Sequence, residues 1–222
     1  MAPSLLAAVE VETAPNPERS VIWLHGLGAD GHDFEPAVPQ LVRAGLPALR
    51  FVFPHAPVRP VTLNGGLPMR AWYDIIGLNR YAPQDESGAR ASDAAIRALI
   101  RRENERGVPT GSIVLAGFSQ GAAMALLTGT RLPEKLAGVI GLSSFLVLAD
   151  SFAAERQVAN RDTPFFMAHG SFDPVVAPGM GEEARGLLVA AGYAVEWHSY
   201  PMAHSVCADE LAAISAFLHR VL

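Results

Sequence analysis

The chain has a single cysteine, Cys207, in 222 residues. That excludes an intrachain disulfide and a zinc site built from cysteines. It is also almost without lysine: of 17 basic residues only Lys135 is one. No glycine pattern precedes Lys135, so a phosphate-binding P-loop is excluded. Neither sign of charge dominates, with 17 Lys+Arg against 22 Asp+Glu and a formal charge of -5. Such a surface offers nothing to attract nucleic acid or an anionic membrane. Long apolar runs are missing too. The richest window, 113–127, is interrupted by Ser119 and Gln120, so no stable membrane insertion is expected. The first ten residues lack a basic flank, and their apolar stretch is short for a signal peptide. A cytoplasmic location is the expectation. A homodimer is compatible with the sequence but not demanded by it.

What is present is enough apolar material for one large core. Half of the residues are hydrophobic and 18% are charged, and the length suits a single domain over 1–222. Short apolar runs alternate with amphipathic ones. The runs at 5–11, 21–24, 49–53, 113–116, 139–142, 165–168 and 195–200 read as strands. The segments 33–44, 87–106, 120–130, 180–191 and 208–221 read as helices. This alternation predicts an α/β fold, with a mostly parallel central sheet and helices on both faces. The stretch from Pro54 to Pro83 carries five prolines and no clear periodicity. A loop of that length in a compact domain is usually functional.

The pentapeptide Gly117-Phe118-Ser119-Gln120-Gly121 is a G-x-S-x-G. By composition alone it would arise by chance in about one such sequence in ten, so its context decides. An apolar strand leads into it and a helix leaves it, the arrangement of a nucleophile elbow. The alternative is an N-capping serine in a tight turn. A nucleophilic serine needs a base and an acid that orients the base. In this fold the chain order is serine, acid, histidine, and all three sit at the carboxyl ends of strands. Of the aspartates after Ser119, Asp162 precedes its strand, Asp209 opens the last helix and Asp150 lies eight residues past its strand. Asp173 follows the run at 165–168 directly and is the best acid. Of the later histidines, His198 lies inside a strand and His219 on the last helix. His204 follows the run at 195–200 and is the best base.

A second glycine-rich stretch, His25 to Gly31, follows the strand at 21–24. In a hydrolase it would aim the Leu27 N–H, together with the Gln120 N–H, at a developing oxyanion. It also matches the dinucleotide-binding pattern, as Gly26-x-Gly28-x-x-Gly31. That reading needs an acid about 20 residues on for the ribose. No Asp or Glu occurs from Pro36 to Tyr73, although Arg50 could favour a 2′-phosphate. His25, His32 and Asp33 match no helical zinc spacing, so no metal is expected. Cys207 has no base placed beside it, so it does not read as a nucleophile.

Taken together, the runs Val21 to Gly28, Pro54 to Pro57, Met69 to Ile75, Gly117 to Gly121 and Asp173 to Val176 resemble the carboxylesterase/acyl-protein thioesterase family of α/β-hydrolases. The motifs occur in the family's order from about Val21 onward. The resemblance implies Ser119, Asp173 and His204 as the triad, and Leu27 and Gln120 as oxyanion donors. It implies that the 62–78 stretch borders an acyl groove, with Leu67 and Met69 on one wall and Phe145 and Val175 opposite. It implies no cofactor, and a small ester, thioester or lipid-like substrate with a short to medium acyl chain. A lysophospholipase-like esterase and a catalytically silent binding protein on the same fold are the alternatives.

Overall fold

A computed structural model describes residues 5–42, 45–77 and 81–222. Its centre is a seven-stranded sheet in the order β1-β3-β2-β6-β7-β8-β9. The strands are β1 (Ala8–Glu12), β2 (Arg19–Leu24), β3 (Leu49–Pro54), β6 (Ile113–Phe118), β7 (Gly138–Leu142), β8 (Phe165–Gly170) and β9 (Val195–Tyr200). Only β1 runs antiparallel, against β3 at the edge. The parallel strands β2, β3, β6, β7 and β8 are buried almost throughout, because helices cover both faces. Their apolar side chains divide into one core on each face.

The helices are α1 (Val38–Leu41), α2 (Glu86–Glu105), α3 (Gln120–Arg131), α4 (Ala149–Glu155), α5 (Pro178–Ala190) and α6 (Ala208–Val221). Asp85 caps α2 by accepting from the Gly88 N–H. The helix expected over 33–44 is reduced to a 3₁₀ turn at Glu35–Ala37 followed by the four residues of α1. Pro36 and Pro39 fall in this segment and withhold two backbone donors. The short α4 was not expected. Phe152 is its one buried residue, so it carries no apolar period.

The 54–83 stretch is more ordered than its composition suggests. Two strands, β4 (Val58–Val61) and β5 (Leu67–Arg70), pair antiparallel as a separate hairpin. Pro60 and Pro68 face each other across it. Both strands are largely exposed, so no alternation marks them. Leu78 lies outside the described residues.

Strand order sets the position of the site. The chain leaves β2 toward β3 on one side and leaves β6 toward β7 on the other. A crevice opens at the carboxyl ends of two such neighbouring strands. Leu24 of β2 is level with Gly117 of β6, so the two glycine-rich turns emerge side by side.

Candidate active site

Ser119 sits between β6 and α3 with φ 53° and ψ -120°. A left-handed φ on a non-glycine residue is strained and must be held by its surroundings. The flanking glycines explain how the turn fits. A Cβ on Gly117 would lie 2.4 Å from the Gly121 backbone, and one on Gly121 would lie 2.2 Å from the Leu24 carbonyl oxygen. Neither position admits a side chain without moving the backbone.

The structure brings Ser119, His204 and Asp173 into one hydrogen-bonded chain. His204 Nε2 is 2.9 Å from Ser119 Oγ. His204 Nδ1 is 2.7 Å from Asp173 Oδ2. Asp173 is buried. Its other oxygen, Oδ1, accepts from the Val175 and Val176 N–H groups at 2.8 and 2.9 Å. The carboxylate is thus locked on three sides. It fixes the imidazole with Nε2 free to take a proton from the serine hydroxyl.

Leu27 and Gln120 belong to the two glycine-rich turns that emerge side by side. The Gly26 loop lies against the serine: a Cβ on Gly26 would be 3.5 Å from Ser119 Cβ. Among the described residues, neither the Leu27 N–H nor the Gln120 N–H donates to another backbone group. Gln120 is the first residue of α3, where an unused amide favours an anion. The loop is anchored from behind. His25 Nε2 accepts the Ala56 N–H at 3.0 Å, so its proton is on Nδ1, which donates to the Gly26 carbonyl at 2.7 Å. Burial pushes His25 below its ordinary pKa, which keeps the ring neutral.

Two contributors escaped the sequence reading. The Gln120 side chain clamps a distant segment: Oε1 accepts the Trp72 N–H at 2.8 Å and Nε2 donates to the Tyr73 carbonyl at 2.7 Å. His169, the last residue but one of β8, is buried, with Nε2 2.9 Å from the Val176 carbonyl and 3.5 Å from Asp173 Oδ2. Its position four residues before Asp173 at a strand's carboxyl end was the available signal.

Of the four residues expected to line the acyl groove, Phe145 borders a cavity in the structure. A cavity of about 650 Å³ is bordered by Tyr73, Ile75, Ile76, Phe145, Val176 and Leu187, among others. Val175 points partly to solvent, and its neighbour Val176 supplies the wall. Leu67 and Met69 do not line this cavity. Leu67 is 63% exposed on the hairpin, and Met69 Sδ accepts from Asn64 Nδ2 at 3.1 Å, near Gly28. Leu67 faces solvent and half-buried Met69 packs toward the Gly28 turn, while the chain beyond the hairpin, from Tyr73 to Gly77, borders the cavity.

The dinucleotide alternative loses its support. The glycine-rich turn opens no regular helix, only the 3₁₀ turn and α1. Arg50 lies at the amino end of β3, bound to Glu12 and Glu103 at 2.9 Å each. Cys207 is the N-cap residue of α6.

The sequence pattern of the phospholipase/carboxylesterase family matches residues 6–222. The chain belongs to this family. It is a hydrolase with the α/β-hydrolase fold. Among its relatives, acyl-protein thioesterase 1 of Neurospora crassa is 44% identical, over 97% of this chain and 90% of that protein. Acyl-protein thioesterase 1 of Gibberella zeae is 38% identical, over 100% and 96%. Among solved structures, Arabidopsis thaliana SOBER1 superposes with a TM-score of 0.87 at 31% identity, covering 91% of this chain and 98% of that one. No helix of the described residues is long and apolar enough to cross a membrane.

Proposed function

We propose that the chain is a single catalytic domain that hydrolyses carboxylic esters or thioesters through a covalent acyl-enzyme. Ser119 Oγ attacks the carbonyl carbon while His204 Nε2 takes its proton. Asp173 holds the imidazole in the reactive tautomer and stabilises its charged form. The Leu27 and Gln120 N–H groups bind the oxyanion, where such donors contribute most. Water then repeats the sequence on the acyl-enzyme. The observation that carries this reading is the continuous hydrogen-bonded chain from Ser119 to Asp173. Similarity to acyl-protein thioesterases supports thioesters as well as esters. The cavity beside Phe145 suits a short to medium acyl chain. No step calls for a cofactor, and a cytoplasmic site of action fits the reading.

The test is turnover of p-nitrophenyl butyrate by Ser119→Ala. Turnover should fall by about three orders of magnitude or more, with the fold intact. Cys207→Ala should keep its activity. Residual turnover above about a tenth in Ser119→Ala would reject the nucleophile.

A further inference from the structure

We infer that a second cavity, on the His204 side of the site, receives the alcohol or thiol part of the substrate and prefers an uncharged group to an anionic one. The inference rests on the proposed role of Ser119 and names what that role leaves open. This cavity measures about 370 Å³ and is walled by Phe34, Ala37, Phe118, His204, Val206 and Leu211. It shares no residue with the cavity beside Phe145. The Phe118 ring packs 4.8 Å from the His204 ring, and Phe34 packs 5.8 Å from Phe118. The imidazole therefore forms one end of an aromatic wall.

The chemistry requires space at this position. In acylation a bond forms from Ser119 Oγ to the carbonyl carbon, and the Oγ proton passes to His204 Nε2. When the tetrahedral intermediate collapses, the C–O or C–S bond breaks. Nε2 returns that proton to the departing oxygen or sulfur. The departing atom must then lie within hydrogen-bond reach of Nε2, and whatever it carries must continue past the imidazole. The cavity that His204 walls adjoins that position through the imidazole. It is ample, since a cavity of roughly 150 Å³ already admits a benzene ring.

Charge gives the selectivity. Among the described residues, no Arg or Lys borders the cavity. The one carboxylate in its wall is Asp33, with Asp30 close enough on the same turn to act on it. His32 of that turn faces Glu35. Arg70 donates to the Ala56 carbonyl and takes no part in the wall. An anion placed here loses water and meets the Asp33 carboxylate, and His204 is the one group of the described wall that takes up positive charge. A neutral apolar alcohol or thiol loses little and buries its surface. Neutral esters and thioesters are thus favoured over lysophospholipids, whose phosphate lies on the alcohol side of the scissile bond.

Butyrate esters test this, beginning with methyl, benzyl and 4-carboxybenzyl. Reactivity at the carbonyl is nearly matched between the last two. We expect kcat/KM for benzyl to exceed methyl, and to exceed 4-carboxybenzyl, by about tenfold each. Asp33→Asn should narrow the second ratio several-fold. Ala37→Phe, which fills the cavity, should lower the benzyl-to-methyl ratio about fivefold or more. Leu211→Ala, which enlarges it, should raise the ratio of naphthylmethyl to benzyl butyrate. Equal benzyl and 4-carboxybenzyl rates, or ratios unmoved by both cavity variants, overturn the inference. Titration with a small fluorophosphonate separates the two levels. Full labelling of Ser119 with unmoved ratios removes the leaving-group cavity alone. Absence of labelling removes the nucleophile assignment, and this inference with it.

Discussion

Glu210 is a buried acid that the proposed chemistry does not use, and it should make stability fall as pH rises. It is the third residue of α6 and has no exposed surface. Neither carboxyl oxygen has a hydrogen-bond partner among the described residues. Burial pushes its pKa up to about 8 from an ordinary 4.5; the Cys207 amide, outside bonding geometry, opposes this only in part. The folded protein therefore keeps a proton that the unfolded chain releases. Stability must decline across the window from about pH 4.5 to about pH 8 and be fully penalised above it. At about 1.4 kcal/mol per pH unit, the ceiling of that penalty is about 5 kcal/mol. The first turn of a helix can open to water, so we expect about 2–4 kcal/mol between pH 5 and 8.5. Glu210→Gln keeps the shape and removes the titration. Urea unfolding of both proteins at both pH values measures the effect. The gap should move toward the variant by that amount as pH rises. A gap independent of pH would refute the reasoning.

Two further outcomes follow from particular contacts. Gln120→Ala strands the Trp72 N–H and the Tyr73 carbonyl, both buried, while leaving the backbone N–H at 120 in place. It should cost about 2–4 kcal/mol in urea unfolding, and an unchanged midpoint would contradict the clamp. A p-nitrophenyl ester series below micelle concentrations should show kcat/KM rising from acetyl through medium chains, by at most about fourfold per methylene, then levelling. Phe145→Trp should move the plateau to shorter chains. A maximum at acetyl, or no dependence on length, would remove the groove.

The buried strands were legible in the sequence because they are continuous apolar runs, and β6 to β8 fall where those runs predicted. The order of Ser119, Asp173 and His204 was legible because each stands at a strand's carboxyl end. The hairpin was hidden because β4 and β5 are mostly exposed and carry proline. Its consequence, turning Leu67 and Met69 away from the cavity and Tyr73 to Gly77 into it, depends on a turn with no periodic signal. The Gln120 clamp spans 47 or more residues of sequence, and no local pattern marks such a pairing. Glu210 stands in the first turn of a helix, where an acid is ordinary. Only the packing around α6 shows that it is buried.

The central claim is that Ser119, activated by His204, becomes covalently acylated. Incubation with a fluorophosphonate, followed by intact mass and peptide mapping, tests it most directly. The account predicts one equivalent of label on Ser119, none on Ser119→Ala, and labelling slowed about a hundredfold or more in His204→Ala. Label elsewhere, on Cys207 above all, or labelling of Ser119 at an undiminished rate in His204→Ala, would contradict it.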